Sequence, residues 1–293
     1  MSSHNHSKSH WHDVALLVII AIPLLVLAYV YSVTRADIDR RYSVSAAPVA
    51  VPTGSAAVAE GERLARVRGC FWCHGEALEG QQYFAMAERG IIAVAPNLTK
   101  KIREYSAADF ARAVRHGVRP DGTSLQPAMP SFAFYNISDP DMGLMLAYIN
   151  SLPEQEGLAG EFRLMPLGWI RWAMGELPPN VADLIDHAAP RPAAAVNGSA
   201  RDRGKYLASS ICTECHGDNG RLRVRGSPDF EIAAAYSKDE FYRLMRTGQP
   251  RHDRPIDYHM VDASKYRYIQ LTDAEVADLY SYFQSLLNPA PAR

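Results

Sequence analysis

The sequence of 293 residues suggests about two domains, and its 31 basic residues nearly balance 32 acidic ones. This balance argues against nucleic-acid binding, which a strongly basic surface would indicate. Hydrophobic residues make up 47% of the chain, which is ordinary for a globular protein and is enough for two cores.

The first predicted element is an uncharged, apolar run over residues 14–33. It has the length of about 20 residues that a membrane-spanning helix needs, and Tyr29 and Tyr31 suit the interface at its far end. We predict a single membrane anchor here, preceded by a short cytoplasmic tail over residues 1–13. A signal peptide cleaved near residues 45–47 is the alternative, but its apolar core would be shorter, at about 7–15 residues.

The segment after the anchor, residues 34–56, is rich in alanine, proline and serine. This composition is typical of a flexible tether. We therefore predict a linker between the anchor and the first domain.

Two copies of the pentapeptide Cys-X-X-Cys-His, at residues 70–74 and 212–216, use every cysteine in the chain. The pentapeptide is the signature of c-type haem attachment, in which each thiol bonds to a haem vinyl group and the histidine binds the iron. Two disulfides or one zinc site would also use four cysteines, but neither explains the histidines, and zinc-binding pairs stand about 15–20 residues apart. The sequence therefore predicts two covalently bound haem c groups, attached at Cys70, Cys73, Cys212 and Cys215 with His74 and His216 as iron ligands.

Haem attachment also decides the predicted orientation in the membrane. The positive-inside rule would place the C-terminal side of the anchor in the cytoplasm, because Arg35, Arg40 and Arg41 follow it and only Lys8 precedes it. Covalent haem attachment takes place outside the cytoplasmic membrane in bacteria, and we give it the greater weight. We expect a single-pass protein of the bacterial inner membrane, with its haem domains in the periplasm.

An internal repeat extends beyond the haem motifs. Residues 105–117 and 236–248 align without a gap, and each begins with a serine followed three residues later by a carboxylate. This is a helix N-terminus pattern, and the closing glycine of each copy is a common helix end. Duplication explains the match. Further helices are predicted before each motif and at the end of each half, over residues 61–69, 204–211, 138–152 and 272–286.

This order of helix, haem motif, loop, helix, loop and C-terminal helix resembles the class I cytochrome c fold. The resemblance covers nearly all of the chain outside the anchor and linkers. It implies an all-α protein in which two tandem class I cytochrome c domains follow one N-terminal transmembrane helix. The expected domains are residues 57–153 and 199–288, joined by a linker over 154–198 and followed by a tail over 289–293.

The second linker contains a dense apolar segment over residues 162–174. Such a segment can pack between the two haem domains, against the membrane surface or onto a partner. We favour packing between the haem domains, because exposed apolar area on this scale is costly.

The resemblance also implies the remaining iron ligands. In class I cytochromes the sixth ligand is a methionine in the loop before the last helix, often followed by proline. Met129, followed by Pro130, fits this pattern in the first domain, and Met260 is the equivalent in the second. Val261 replaces the proline there, so His259 and an open position stay as alternatives. Methionine ligation raises the reduction potential of the iron.

A ligand histidine also needs its second ring nitrogen held by a hydrogen bond. In class I cytochromes the carbonyl group of a proline downstream of the motif does this. The resemblance implies Pro96 for the first domain and Pro228 for the second.

The stretch from Pro96 to Pro130 is similar to the cytochrome c subunits of membrane-bound dehydrogenases, which collect electrons from a catalytic subunit and usually carry three haems. We expect an electron-transfer protein and not an enzyme. Its expected partners are the membrane, a dehydrogenase subunit, a cytochrome bc complex or a terminal oxidase, and no nucleic acid. The dihaem subunit of haem–copper oxidases has a similar layout, although its Asn-Pro-Leu-Pro stretch is missing here. A dihaem cytochrome c peroxidase is the alternative from another class, and it would need an open position at one iron.

Overall fold

The structure, a computed structural model, describes residues 6–191, 197–217 and 227–287. Most of these residues are helical, which confirms the predicted fold class. The tail predicted over residues 289–293 lies outside the described residues.

The first helix, α1, runs over His6–Ile38. Its portion Trp11–Ile38 is long and apolar enough to cross a bilayer. The most apolar stretch of this portion is 0% buried inside the protein. The helix extends past both ends of the predicted anchor over 14–33, because the flanking residues contain no proline or glycine that would break it. The described part of the predicted tail, residues 6–13, therefore forms the first turns of α1.

The segment predicted as a flexible tether, residues 34–56, is packed along the first domain. The amide of Tyr42 donates to the carbonyl oxygen of Gly122 at 2.8 Å, and Val49 packs against the core of the first domain. The composition predicts a flexible tether, whereas in the fold these backbone and apolar groups have partners on the surface of the first domain.

The helices of the first domain follow the predicted order. They are α2 (Ser55–Val67), α3 (Cys70–His74), α4 (Leu98–Glu104), α5 (Ala107–His116), α6 (Ser131–Phe134) and α7 (Asp139–Ser151). Two predicted caps are present: Ser106 accepts a hydrogen bond from the amide of Asp109, and Ser138 accepts one from the amide of Asp141. These caps fix where α5 and α7 begin.

A small antiparallel sheet was not predicted. Its strands are β1 (Gln81–Met86), β2 (Ile91–Ala95) and β3 (Glu161–Leu164), in the order β1-β2-β3. The strands are short, and β3 comes from the second linker, where it pairs with β2. Pairing between segments so far apart in the chain leaves no local pattern to read.

The apolar segment over residues 162–174 does not pack between the haem domains, so that prediction is wrong. After β3 it forms helix α8 (Pro166–Ala173), which packs against the end of α1 and against β2. The indole N–H of Trp172 donates to the carboxylate of Asp37 at 2.8 Å. The pairing of β3 with β2 keeps this segment on the first domain, because it fixes where α8 begins.

The second domain repeats the order of the first. Its helices are α9 (Ala200–Ile211), α10 (Thr213–His216), α11 (Glu231–Ala234), α12 (Lys238–Thr247), α13 (Tyr258–Asp262) and α14 (Asp273–Leu287). Ser237 caps α12, as predicted, by accepting from the amide of Glu240. Between α13 and α14 the chain continues as a π-helix over Ala263–Arg267 and a short 3-10 turn.

In each domain the first and last helices cross at a glycine. A side chain at Gly61 of α2 would overlap the carbonyl oxygen of Leu144 in α7, and one at Gly204 of α9 would overlap that of Asp278 in α14. Each domain has its own hydrophobic core, but Val67 at the end of α2 belongs to the core of the second domain. The two domains are therefore packed together next to the first haem motif.

Candidate haem-attachment sites

The first motif forms helix α3 directly after α2, and the second forms the end of α9 and helix α10. All four cysteines lie within the described residues, and none of them forms a disulfide. Burial raises the pKa of Cys70 to about 11 and that of Cys212 to about 12. Such sites disfavour a thiolate, whereas a thioether is uncharged and suits them.

Each motif histidine is held through one ring nitrogen. Nδ1 of His74 lies 2.8 Å from the carbonyl oxygen of Pro96, and Nδ1 of His216 lies 2.8 Å from that of Pro228. A carbonyl oxygen only accepts, so Nδ1 carries the proton and Nε2 keeps the lone pair that a metal ligand needs. The structure thus brings together both pairs that the resemblance implied.

The surroundings of the two histidines differ. His74 is 7% exposed, and burial lowers its pKa, which favours the neutral, metal-binding form of the ring. His216 is half-buried, and its ring packs against Phe230. The second site is therefore the more accessible one.

The two predicted methionine ligands also lie in different local structures. Met129 is half-buried in the loop before α6 and packs against the core of the first domain. Met260 lies within α13 and packs against the core of the second domain. The alternative ligand His259 is exposed, with Nδ1 2.7 Å from the carboxylate of Asp257. Met260 packs against the core whereas His259 is exposed to solvent, and this difference favours Met260 over His259.

The alternative of a shared zinc site gains no support. Among the described residues, no group of three or more His, Cys, Asp or Glu side chains could hold a metal ion. Each motif instead offers two thiols and a histidine that is oriented through Nδ1, beside an apolar core. This set of groups fits a covalently attached haem in each domain.

Arg267 joins the two attachment segments across the domain interface. Its Nε donates to the carbonyl oxygen of Val67, close before the first motif, at 3.1 Å. Its Nη1 forms an ion pair with Glu214, which lies between the two cysteines of the second motif. The side chains are 10% and 12% exposed, so this pair is largely removed from water. Burial lowers the pKa of Arg267, but the attraction of Glu214 outweighs it and the pKa is raised.

Gly69 allows this close approach. It has a φ of 75°, and a side chain there would come within 2.9 Å of the Arg267 guanidinium. Glycine meets both demands, because it adopts positive φ readily and has no Cβ. A contact with the other domain thus explains why glycine stands directly before Cys70.

A second buried contact lies beside the first. Arg68 is 1% exposed, and its Nη2 donates to Asp141 at 2.6 Å and to the hydroxyl group of Tyr206 at 3.2 Å. The Tyr206 hydroxyl donates to Asp141 at 2.7 Å. The network ties the start of α7 in the first domain to α9 in the second.

The sequence did not point to these interface residues. Arg68, Arg267 and Tyr206 carry no motif, and their partners lie far away in the chain. Glu214 offered a signal, since a charged residue inside a motif that becomes buried needs a partner. That partner could not be named without the fold.

Comparisons with known proteins agree with the geometry. The family model described as Cytochrome c matches residues 58–153 and 202–287. The chain is 27% identical over 281 residues to "Alcohol dehydrogenase (quinone), cytochrome c subunit" of Gluconacetobacter polyoxogenes, covering 82% of this chain and 58% of that protein. It is 26% identical to "Fructose dehydrogenase cytochrome subunit" of Gluconobacter japonicus, covering 80% and 53%.

A further relative is "Diheme cytochrome c-type" of Cereibacter sphaeroides, at 27% identity over 59% of this chain and 60% of that protein. The chain thus spans between 53% and 60% of the length of these three relatives.

Proposed function

Since the chain belongs to the cytochrome c family, we propose that it is a membrane-tethered dihaem cytochrome that passes electrons on from a dehydrogenase. The family implies covalently bound haem c, which supplies reversible one-electron chemistry at iron. Two attachment motifs in two matched domains support a count of two. The names of the relatives support a dehydrogenase as the electron donor.

The proposed roles follow the residue chemistry. Cys70, Cys73, Cys212 and Cys215 attach the two haems. His74 and His216 bind the irons, and the carbonyl groups of Pro96 and Pro228 orient these histidines through Nδ1. Met129 and Met260 are the proposed sixth ligands.

The contact of Arg267 with both attachment segments is the observation that carries the relay function. It fixes the segment before Cys70 against the segment between Cys212 and Cys215. The ion pair lies within the second domain, where it orients the guanidinium group of Arg267, and Nε of that group donates to Val67 of the first domain. Two attachment segments held in one arrangement allow direct transfer from one haem to the other within the chain.

The tether and the orientation complete the proposal. We place α1 in the bacterial inner membrane and both haem domains in the periplasm. Covalent haem attachment outside the cytoplasmic membrane supports this orientation, against the weaker indication of Arg35, Arg40 and Arg41. A cytochrome bc complex or a terminal oxidase in the same membrane would accept the electrons, and tethering would raise the effective concentration of such partners.

The haem count is the first test. The full chain would be produced in a bacterial host with haem c maturation and extracted in mild detergent. The pyridine haemochrome assay should give two haems per chain, and mass spectrometry should find one haem on the peptide with residues 70–74 and one on that with 212–216. A single modified peptide, or none, would overturn the proposal.

The donor is tested separately by what the native protein retains when it is extracted from its own membrane. A dehydrogenase catalytic subunit that copurifies and reduces the chain when given its substrate supports the assignment. Copurification with an oxidase alone, and no reduction by any dehydrogenase of the same membrane, would contradict it.

A further inference from the structure

Helix α8 exposes an apolar face beside the anchor. Leu167 and Ile170 are 48% and 40% exposed, and Met174, directly after the helix, is 67% exposed. These positions follow one another at spacings of three and four residues, so they share one side of the helix. A face of this kind marks a site of contact with a membrane or a partner.

The opposite side of α8 is fixed to the end of α1. Thr34 of α1 donates through its hydroxyl group to the carbonyl oxygen of Trp169 at 3.1 Å. The buried Trp172 donates to Asp37 at 2.8 Å. The side-chain Nδ2 of Asn180, shortly after the helix, donates to the carbonyl oxygen of Asp37 at 2.8 Å. The helix therefore cannot move away from the anchor without breaking buried polar contacts.

Trp169 shows how far along the anchor helix α1 the helix α8 lies. Its ring meets that of Tyr31 edge to face, with ring centroids 4.7 Å apart. The two rings line an apolar groove together with Leu24, Leu27 and Ala28 of α1. These leucines belong to the apolar run that suits the hydrocarbon of a bilayer, and tryptophan and tyrosine favour its interface with water.

We propose that α8 lies in the membrane interface, with Leu167, Ile170 and Met174 in contact with lipid. Lipid is the occupant because Trp169 of the same helix lines a groove with Leu24, Leu27 and Ala28, which belong to the apolar run of α1. The flank of α8 is polar, with Arg171 held 3.0 Å from Glu176. An apolar face with a charged flank is the arrangement of helices that lie in the plane of the interface.

The contact has a consequence for the first haem domain. Strand β3, directly before α8, pairs with β2, and the amide of Met165 donates to the carbonyl oxygen of Gly90 at 2.9 Å. The interfacial helix is thus part of the domain and not a free arm. It holds the first domain in one orientation to the membrane, where α1 alone would leave it free to rotate. This inference rests on α1 spanning the membrane and not on the route of the electrons.

Photolabelling by lipid tests the inference directly. The holoprotein would be placed in nanodiscs whose phospholipid carries a diazirine on its acyl chain, and the adducts would be mapped by mass spectrometry after irradiation. Adducts are expected in residues 14–33 and also in residues 164–174. Ile232 of the second domain is the matched control, because it is apolar and 42% exposed but distant from α8 in the chain; no adduct is expected there.

A double variant, Leu167→Glu with Ile170→Glu, should lose most of the adducts in α8 and keep those in α1. Its haem spectrum should be unchanged. Adducts in α1 with none in α8 of the unaltered protein would overturn the inference and leave the tether in place. Crosslinking of α8 to a second protein in native membranes, with no lipid adduct, would also overturn it. A lack of adducts in α1 itself would count against the tether and thus against the proposed function.

Discussion

The two cytochrome domains keep the same internal contacts but differ in what surrounds them. In each domain an arginine near the end of the repeated helix pairs with the first residue of the last helix. Arg115 lies 2.8 Å from Asp139 in the first domain, and Arg246 lies 2.7 Å from Asp273 in the second. These contacts tie the repeated helix to the start of the last helix in both domains.

The surroundings of the two sites have diverged. The first domain adds a sheet and joins the anchor through α8, and its motif histidine, His74, is 7% exposed. In the second domain His216 is half-buried, and Met260 lies in a helix that continues as a π-helix. The two candidate sites thus differ in the exposure of the motif histidine and in the local structure around the methionine.

Removal of the proposed methionine ligands should have the largest effect on the properties of the two haems. Met129→Ala should remove the sulfur-to-iron absorption band of one haem and let carbon monoxide bind to half of the total haem. Met260→Ala should do the same for the other half, because each methionine serves one iron. If Met260→Ala leaves the spectrum unchanged, the second iron has another ligand or an open position, and the peroxidase alternative gains support.

Substitution of Arg267, which contacts both attachment segments, should have the next largest effect. Arg267→Met leaves Glu214 buried without a partner, which costs about 3–5 kcal/mol of the free energy of unfolding. The double variant Arg267→Met with Glu214→Gln should recover most of this loss, because no charge is then buried alone. Urea denaturation followed through haem absorption measures both. Equal losses in the single and double variants would show that the loss comes from the contact of Arg267 with Val67 of the first domain and not from an unpaired Glu214.

The parallel helix crossings give a third test. Gly61→Ala and Gly204→Ala should each lower the free energy of unfolding by about 1–3 kcal/mol or more, because the added Cβ overlaps a backbone carbonyl group. Ala59→Ser, on the exposed side of α2, is the control and should change stability little. A large loss from one glycine and none from the other would show that the two crossings are not equivalent.

A smaller effect should belong to the first domain alone. Burial, followed by the nearby His187 and arginines, lowers the pKa of His116 to about 4 from an ordinary value of 6.5. The unfolded chain binds a proton at His116 between these values and the folded one does not, so stability falls as pH drops from 6.5 towards 4. After a discount for partial exposure the loss is about 1–2 kcal/mol. The second domain has Thr247 at the equivalent position.

The variant His116→Gln should reduce this loss, which is measured as the free energy of unfolding at pH 7 and pH 5. The difference between the variant and the parent cancels the contribution of groups that both share. An equal loss in the two proteins would assign the pH dependence to other residues.

Local sequence patterns predicted most of the helices of the fold. The Cys-X-X-Cys-His motifs, the serine caps and the closing glycines mark features that depend on neighbours in the chain, and α5, α7 and α12 begin where Ser106, Ser138 and Ser237 predict. The sheet and the position of α8 could not be predicted, because they depend on the pairing of β3 with β2 across a long stretch of chain.

The residues of the candidate sites likewise include some that could be predicted from the sequence and some that could not. The pairs His74–Pro96 and His216–Pro228 could be named because the family resemblance supplied the spacing. The contacts of Arg267 could not, because its partners Val67 and Glu214 become neighbours only when the two domains pack.

Transfer of an electron between the two haems of one chain can be followed by pulse radiolysis of the dihaem protein, which adds one electron and then records its redistribution. After the fast reduction of one haem, we expect a second phase in which that haem is reoxidised as the other is reduced. The rate of this phase should not depend on protein concentration, and Arg267→Met should slow it. A second phase whose rate is proportional to protein concentration would contradict transfer within the chain.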